Sequence, residues 1–491
     1  MVLLPIHFSI LDSMLPYSIG EESSLALLAI NRHDEQPLVE QIVQGFSQRI
    51  EQRSMRSGSK VPSIRRFAEE HGVSRFTVVQ AYDRLVASGH LQSRKGSGFY
   101  VGKLAATENV QTACRLDRAG DILWSLRQAL KDGQHRLQPG CGWLPATWME
   151  STNVQRSLRQ LSRQNGGHLV EYSQAGGYVP LRQQLSRRME EAGIRAEVPQ
   201  IITCHGASHG VDLVCRLMLR PGDKVLIDDP AYFNLFGMLK LFGAEALPVP
   251  RNEDGPDIAA LKALLQEHQP KLMMTTAILH NPTSSCISPG VAFELLKLAE
   301  QHDFYLLEDD IYGDLHPNPG PRLASLDQLN RVIYVSSFSK TISAALRVGY
   351  IACRQDLANE LMDLKLLTQL TCSEITERTV HATLVDGFYR KHLSRLHGRL
   401  EEAREQASNG LEQLGFKIFG QAEHGLFLWT EVPEGSLNCI ELAQKAMEND
   451  MVLAPGNVFR AEGQGANSMR FNVANTGQEA LSLLAKILDA N

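Results

Sequence analysis

Beyond Asp121 the chain alternates short apolar runs with stretches of helical periodicity, and this alternation constrains the fold more than any other feature. Strand–helix alternation predicts a mostly parallel sheet with helices on both faces. The strand-like runs are IITC at 201–204, KVLIDDP at 224–230, KLMMTTAIL at 271–279, FYLLEDD at 304–310 and RVIYVSS at 331–337.

Polar side chains follow each of these runs, where a parallel sheet of this kind binds its ligands. Any one of them alone is a weak signal, because a lysine at a strand end is usually solvated and Asn-Pro usually marks only a turn. Their joint occurrence predicts one ligand site. The candidates are Gly206, Ala207, Ser208, Tyr232, Asn281, Asp309, Tyr312, Ser337, Ser339 and Lys340.

Pyridoxal phosphate is the ligand that needs this set of groups. The amine of Lys340 can form a Schiff base with its aldehyde, and an aspartate can keep its pyridine nitrogen protonated. Amides at the helix start after Gly206, together with Arg347, can bind its phosphate. The strand ends therefore predict a pyridoxal phosphate site.

The N-terminal segment differs in charge from the rest of the chain. Residues 31–103 contain 12 Lys and Arg against 7 Asp and Glu, a balance of +5, whereas the whole chain carries −6, which leaves −11 for the remainder. A small basic segment on an acidic body indicates a local site for a polyanion.

Helical periodicity begins at Pro37, and two short helices then follow, at Pro62–Ser63 and after the cap Ser74. A Gly-rich hairpin with basic residues at its tip comes after Gly89. The alternative interpretation is a small helical domain with ordinary solvated side chains. As a winged helix-turn-helix, the segment would contact DNA through Arg65, Ser74, Arg75, Thr77, Arg94 and Lys95.

The segments PLVEQI, VPSIRRFAEEHGVSRFTVVQAYDRLVASG and RKGSGFYV resemble the winged helix-turn-helix domain of GntR-type regulators almost without a gap. From about Ile122 the chain is similar to fold-type I aminotransferases, the aspartate aminotransferase superfamily. The predicted fold is therefore multi-domain, a winged helix-turn-helix followed by an α/β pyridoxal phosphate-dependent transferase-like domain. Its predicted parts are an extension (1–30), the DNA-binding domain (31–102), a linker (103–121) and the large domain (122–491).

The second resemblance implies roles for individual residues. It implies Lys340 as the Schiff-base lysine and Asp309 as the partner of the pyridine nitrogen. It further implies that Arg470, in SMRFNVAN, grips a substrate carboxylate, with a surface strand arginine as the alternative, and that Tyr172 reaches the phosphate of a neighbouring subunit. The other matches are Tyr232 for stacking, Asn281 and Tyr312 for the ring 3-oxygen, and Gly206, Ala207, Ser208, Ser337, Ser339 and Arg347 for the phosphate.

The two halves together resemble MocR-type regulators. That resemblance implies a bacterial, cytoplasmic, nucleoid-associated homodimer that binds double-stranded DNA and senses pyridoxal phosphate or an amino compound. Two rivals stay open: a working aminotransferase with a secondary DNA-binding domain, and a dimerisation scaffold without cofactor. Ser208 and Ser284 stand where many relatives have glutamine and glycine, which leaves the substrate geometry open.

Several other features limit the function. The cysteines form no CxxC pair and no His cluster has metal-ligand spacing, so we expect reduced thiols and no metal site. We expect no membrane span, because no apolar run is long enough, and no signal peptide, because the apolar N-terminus lacks a basic region. Met14 is an alternative start.

Overall fold

The computed structural model describes residues 30–31, 36–51, 55, 58–94, 97–102, 137–149, 151–164, 166, 169–421, 423–461, 463 and 467–489. The chain divides into two compact units, Met1–Arg115 and Leu116–Asn491. The predicted linker and nearly all of the predicted extension lie outside the described residues, as does the start of the predicted large domain. The predicted domain boundaries therefore stay predictions.

The N-terminal unit contains helices α1 (Leu38–Glu51), α2 (Ile64–His71) and α3 (Arg75–Ala87). The Ser63 side chain caps α2 by accepting from the amide of Arg66. Gly72 ends α2 with φ 62°, a left-handed conformation that favours glycine. The predicted cap Ser74 begins α3, where its hydroxyl accepts from the amide of Thr77 at 3.0 Å.

The core of this unit is formed by the inward faces of the helices. Phe46 lies edge to face with Tyr82, with ring centroids 5.6 Å apart, and Phe67 packs against both rings. The Tyr82 hydroxyl donates to the carbonyl of Pro62 at 3.0 Å and so ties α3 to the start of α2. The inner face of α3 is the predicted one, with Val78, Ala81, Tyr82 and Leu85 buried.

A hairpin of β1 (Leu91–Arg94) and β2 (Gly98–Val101) completes the N-terminal unit. The Arg94 guanidinium lies 4.4 Å from the centroid of the Tyr100 ring, a cation–π contact that restrains the arginine near the hairpin tip. Together with α2 and α3, this hairpin gives the predicted winged helix-turn-helix.

The large unit is built on an eight-stranded sheet with the order β3-β10-β9-β8-β7-β4-β5-β6. A second, four-stranded sheet has the order β11-β12-β14-β13. The strands are β3 (Ile201–Cys204), β4 (Lys224–Asp229), β5 (Glu245–Asn252), β6 (Gly255–Pro256), β7 (Leu272–Thr275), β8 (Tyr305–Asp309), β9 (Val332–Ser337), β10 (Gly349–Ala352), β11 (Lys417–Ile418), β12 (Phe427–Glu431), β13 (Ala454–Pro455) and β14 (Ser468–Asn472).

Strands β4, β7, β8 and β9 are parallel, and their apolar side chains are buried by helices. The helices of this unit are α4 (Ser151–Leu161), α5 (Val179–Glu191), α6 (Ala207–Met218), α7 (Phe233–Leu241), α8 (Ile258–Glu267), α9 (Pro289–Gln301), α10 (Leu323–Asp327), α11 (Gln355–Gln369), α12 (Glu374–Val385), α13 (Phe388–Gln413), α14 (Cys439–Glu448) and α15 (Gln478–Asp489).

The strands differ from the prediction in two ways. The run KLMMTTAIL forms a strand only over Leu272–Thr275, because the chain then leaves the sheet toward the Asn281 loop. Strands β5, β6, β10, β11, β12 and β13 were not predicted. Of these, β10 is antiparallel to both β3 and β9. Since β10 reverses direction between them, β3 and β9 still end at the same edge of the sheet.

In the described part of the chain, no helix is long and apolar enough to cross a membrane. Within the same residues, no group of three or more His, Cys, Asp and Glu side chains could hold a metal ion.

The buried face of α3 generates a stability prediction. Leu85 is fully buried, so Leu85→Ala should lower the free energy of unfolding of the N-terminal unit by about 2–5 kcal/mol. Phe76, on the same helix, is 70% exposed, so Phe76→Ala should change it by less than about 0.5 kcal/mol. Hydrogen exchange of the amides of residues 64–87, measured in the full-length protein, compares the two variants. Equal loss of protection in both would contradict the burial of Leu85 and the exposure of Phe76.

Candidate functional site

The carboxyl ends of the parallel strands border a cavity. Strand β9 leads to Lys340, β8 to Tyr312, β4 to Tyr232 and β7 to Asn281. Arg470 enters the same cavity from β14 of the second sheet. Each of these side chains lines the cavity, so the structure brings together residues that lie far apart in the sequence.

Lys340 lies three residues beyond the end of β9 and is half-buried. Its Nζ donates to the carbonyl of Gly142 at 2.7 Å and lies 5.9 Å from the centroid of the Tyr312 ring. Burial lowers the pKa of Lys340 to about 8, although the nearby Cys141 thiol opposes that shift. A lysine with this pKa is partly neutral, and therefore nucleophilic, near neutral pH.

Asp309 is the last residue of β8 and is buried. Burial, and secondarily the adjacent Asp310, raise the pKa of Asp309 to about 7. Its Oδ1 is buried without a hydrogen-bond partner within the described residues. An acceptor without a partner in a buried site is costly, and a protonated pyridine nitrogen is a donor that would satisfy it. The residues therefore fit the predicted cofactor here.

Arg347 lies against the start of α6, where the sequence predicts a phosphate site. Gly206 has φ 80°, and a Cβ on it would lie 2.4 Å from Nη2 of Arg347. Arg347 donates from Nη1 to the Ser339 hydroxyl at 3.2 Å and from Nη2 to the His205 carbonyl at 3.1 Å. The amide of Ser339 in turn donates to the hydroxyl of Ser337 at 3.3 Å.

The close approach at Gly206 extends to the neighbouring strand. A Cβ on Gly349 of β10 would lie 2.7 Å from the carbonyl carbon of Gly206 and 2.9 Å from the amide nitrogen of Ala207. Glycine at these positions keeps the amides at the start of α6 close to Arg347, where a helix N-terminus favours an anion. Ser208, in the first turn of α6, is exposed.

Arg470 is buried between the rings of Phe427 and Phe459, 4.4 and 4.7 Å from their centroids. It donates from Nη1 to Oδ1 of Asn281 at 2.9 Å and from Nη2 to the carbonyl of Gly140 at 2.6 Å. Its Nε has no hydrogen-bond partner within the described residues. Burial lowers the pKa of Arg470. The alternative of a surface strand arginine is therefore wrong, since this guanidinium lines the cavity.

Tyr232, Asn281 and Tyr312 form one wall of the cavity. The amide nitrogen of Asn281 lies 3.5 Å from the Tyr312 hydroxyl. Burial raises the pKa of Tyr232 to about 12, so its hydroxyl stays protonated at neutral pH. The wall thus presents neutral donors and aromatic faces, which suit a planar ring with a polar substituent.

Tyr172 does not line the cavity in the single chain. The predicted residues Gly206, Ala207, Ser208, Asp309, Ser337, Ser339 and Arg347 lie outside its lining as well. Tyr172 is 82% exposed, in a loop where Val170 is 86% and Leu169 is 47% exposed. Within one chain, its predicted role at a phosphate has no structural counterpart.

Sequence reasoning missed the segment Gly140–Trp143, which lines the cavity. Asn472 holds it in place by donating to the carbonyls of Cys141 at 3.0 Å and of Trp143 at 2.7 Å. The available signal was PGCGW, in which two glycines flank a small side chain. None of the predicted strand-like runs precedes it, since the first begins at Ile201.

A buried ion pair that the sequence did not reveal supports the Asn281 loop. Arg251 of β5 donates to Asp228 of β4 at 2.9 Å and to the hydroxyl of Ser285 at 3.0 Å. Both charged side chains are at most 1% exposed. Removing one partner would leave the other charge buried and unpaired, which is strongly destabilising, so this pair fixes the loop to the sheet.

The predicted DNA contacts lie in the N-terminal unit. Arg65 and Arg75 are exposed, and both lie near Glu69, at 3.0 and 3.9 Å. Exposed ion pairs of this kind contribute little to stability, so these arginines are available to phosphates. Ser74 and Thr77 cap α3, Arg94 lies against Tyr100, and Lys95 lies outside the described residues.

Comparison with known proteins assigns both parts of the chain. Residues 146–488 match the aminotransferase class I and II family, and residues 38–101 match the gntR family of bacterial regulatory proteins. The chain is 28% identical to the uncharacterized HTH-type transcriptional regulator YjiR of Escherichia coli, with 90% of this chain and 96% of that protein covered. It is 25% identical to the probable rhizopine catabolism regulatory protein MocR of Rhizobium meliloti, with 90% and 88% covered.

Among solved structures, the chain is similar to LysN, the alpha-aminoadipate aminotransferase of Thermus thermophilus, complexed with N-(5'-phosphopyridoxyl)-L-leucine. The identity is 25%, the TM-score is 0.68, and 74% of this chain and 94% of that chain are covered. These matches confirm the predicted fold class and the predicted resemblance to MocR-type regulators.

The lowered pKa of Lys340 predicts how its reactivity depends on pH. Labelling by pyridoxal phosphate, trapped with borohydride, should rise about tenfold per pH unit up to about pH 8 and then level off, because only the neutral amine reacts. Mass spectrometry of the Lys340 peptide measures this rate. Lys340→Ala, which lacks this amine, serves as the control and should show no label at this position. A Lys340 rate that keeps rising above pH 9 would contradict the shift.

Proposed function

The chain belongs to the aminotransferase class I and II family and carries a GntR-type domain ahead of it, and from this we propose that it is a DNA-binding transcription regulator. In this proposal its large unit binds pyridoxal phosphate and senses an amino compound or pyridoxal phosphate itself. One observation carries the proposal. The chain that exposes a basic winged helix-turn-helix also holds Lys340 and Arg470 in the lining of one cavity, with Asp309 buried close enough to Lys340 to act on its charge.

When bound, pyridoxal phosphate supplies an aldehyde for an amine and a ring that accepts electrons. Lys340 would hold the aldehyde end, and the unpartnered Oδ1 of Asp309 would accept a proton shared with the pyridine nitrogen. Gly206, Ala207, Ser339 and Arg347 would hold the phosphate, with Ser208 and Ser337 at its margin. Tyr232 would stack on the ring, while Asn281 and Tyr312 would contact its 3-oxygen.

Arg470 would bind the carboxylate of an effector. Its guanidinium already holds the carbonyl of Gly140 and Oδ1 of Asn281, and these two contacts fix its orientation before any ligand arrives. A planar, preoriented guanidinium suits two-point binding of a carboxylate. The rings of Phe427 and Phe459 on either side exclude water and strengthen that contact.

Exposed apolar side chains support a homodimer. Leu169, Val170 and Tyr172 lie in one loop, and Leu367 and Leu370 lie at the end of α11. Large exposed apolar side chains in clusters usually mark an interface. A second copy covering this loop would bring Tyr172 to a neighbouring phosphate, and a two-fold dimer would present two winged helices to two DNA half-sites. Because its partner is DNA, we place the protein in the bacterial cytoplasm.

A catalytically active aminotransferase is the second candidate, and a specific observation favours it. The cavity is lined by a lysine with a pKa near 8 and an arginine, and an aspartate is buried near the lysine; these are the groups that transamination needs. The likeness to LysN points the same way. The two candidates differ in turnover and in DNA binding rather than in cofactor contacts.

A matched pair of lysine variants tests the cofactor part of the proposal. Lys340→Ala should abolish both the visible absorption of protein incubated with pyridoxal phosphate and the borohydride-stable label, whereas Lys297→Ala on α9 should keep both. DNA affinity should respond to added leucine or aspartate in Lys297→Ala alone. If Lys340→Ala keeps its colour and its DNA response, the large unit is only a scaffold.

Turnover separates the two candidates. With leucine or aspartate and 2-oxoglutarate as acceptor, a regulator should show a changed absorption band without steady formation of the new keto acid. Sustained keto-acid formation, absent in Lys340→Ala, would instead favour the aminotransferase.

Salt dependence tests the DNA contacts. Affinity for DNA should fall steeply as salt rises, because phosphate contacts release counterions. Arg75→Gln should reduce the slope of log affinity against log salt by about one. Arg390→Gln, an exposed arginine of the large unit paired with Glu191, should leave the slope unchanged. An unchanged slope in Arg75→Gln would remove Arg75 from the interface.

A further inference from the structure

Helix α3 exposes a large aromatic ring that its packing does not use. Phe76 is the second residue of α3 and is 70% exposed, whereas Val78, Ala81, Tyr82 and Leu85 bury the opposite face. The aromatic core of the unit is already complete with Phe46, Phe67 and Tyr82, to which Phe99 adds an edge contact. Phe76 therefore does not stabilise this unit by burial.

The face that carries Phe76 also carries polar side chains suited to base edges. Gln80 lies four residues later, so it shares that face one turn along, and both Gln80 and the preceding Arg75 are exposed. In a helix-turn-helix the N-terminal residues of the second helix reach the base edges of the major groove. Phe76 stands among those residues.

The surroundings of this face carry the charge of a DNA site. Arg65 on α2 and Arg75 on α3 are exposed, and on the hairpin side Lys60 and Arg94 both lie by the Tyr100 ring. An exposed apolar ring in a unit with several exposed cations fits a groove whose edges are phosphates and whose floor carries thymine methyl groups. A protein partner would not need these cations.

We propose that Phe76 is a specificity-determining residue that packs against the 5-methyl group of a thymine in the major groove. The inference rests on the proposed DNA-binding function and deepens it, because it names a base that the site selects. Arginines that contact phosphates position the protein without reading sequence. Phe76 adds a contact that a cytosine or a uracil at the same position does not offer.

The test removes the methyl group from the DNA and the ring from the protein separately. Full-length wild-type protein with pyridoxal phosphate first selects duplexes from a randomised library. Affinities are then measured for the selected duplex and for copies with single thymine-to-uracil replacements. For wild type, a single replacement at the contacted thymine should weaken binding by about fourfold, the effect of one methyl group. For Phe76→Ala that difference should vanish.

Two controls keep the result interpretable. Phe76→Leu keeps an apolar side chain and should retain part of the thymine preference. Hydrogen exchange of residues 64–87 should be unchanged in Phe76→Ala, so that lost discrimination is not lost folding.

The outcomes distinguish failure of the proposed DNA-binding function from failure of the role assigned to Phe76. If wild type selects no duplex, the proposed DNA-binding function fails, and the assignment of Phe76 fails with it. If a duplex is selected but no uracil replacement matters, or if Phe76→Ala keeps the same thymine preference, the DNA-binding function stands and the role of Phe76 is overturned. Loss of dimer in Phe76→Ala without any change in thymine preference would likewise overturn it.

Discussion

The large unit depends on charged side chains that one cavity holds away from water. Burial lowers the pKa of Lys340 and Arg470 and raises that of Asp309, so each group loses solvation in the folded protein. Such groups are retained only where neighbours compensate. Lys340 and Arg470 donate to the carbonyls of Gly142 and Gly140, whereas Oδ1 of Asp309 accepts from no donor in the described part of the chain. That imbalance is what a bound pyridine nitrogen would correct, and it is why the cavity is suited to a cofactor.

The sheet makes this arrangement rigid. The cavity groups are carried by the ends of separate strands, whose spacing is fixed by their hydrogen bonds. The Arg251–Asp228 pair fastens the Asn281 loop to β4 and β5, and Gly349 lets β10 approach the start of α6 within van der Waals contact. Preorganisation of this kind means that a ligand does not have to order the site when it binds.

The N-terminal unit differs from the large unit because its charged side chains are exposed to water. Its basic side chains are exposed, and their ion pairs with Glu69 are weak because water screens them. These arginines can leave the carboxylate of Glu69 for a DNA phosphate with little loss of free energy. Helix α3, which begins with Arg75, also exposes Phe76, whose ring is not buried in the core of this unit. One chain therefore combines a buried, preorganised cavity in its large unit with solvent-exposed side chains in its N-terminal unit that can change partners.

Short-range patterns in the amino-acid sequence are enough to predict the helices with apolar residues every four positions, the caps Ser63 and Ser74, and strands such as IITC. Because parallel strands end at the same edge of a sheet, the sequence also predicts that the polar residues after them share one site. It did not give β10, because GYIA gains its meaning only from pairing with both β3 and β9. Nor did it give the Gly140–Trp143 wall, which is held in the cavity by Asn472 more than 300 residues later. Contacts between distant segments are decided by packing and by the satisfaction of buried polar groups, and those are properties of the tertiary structure alone.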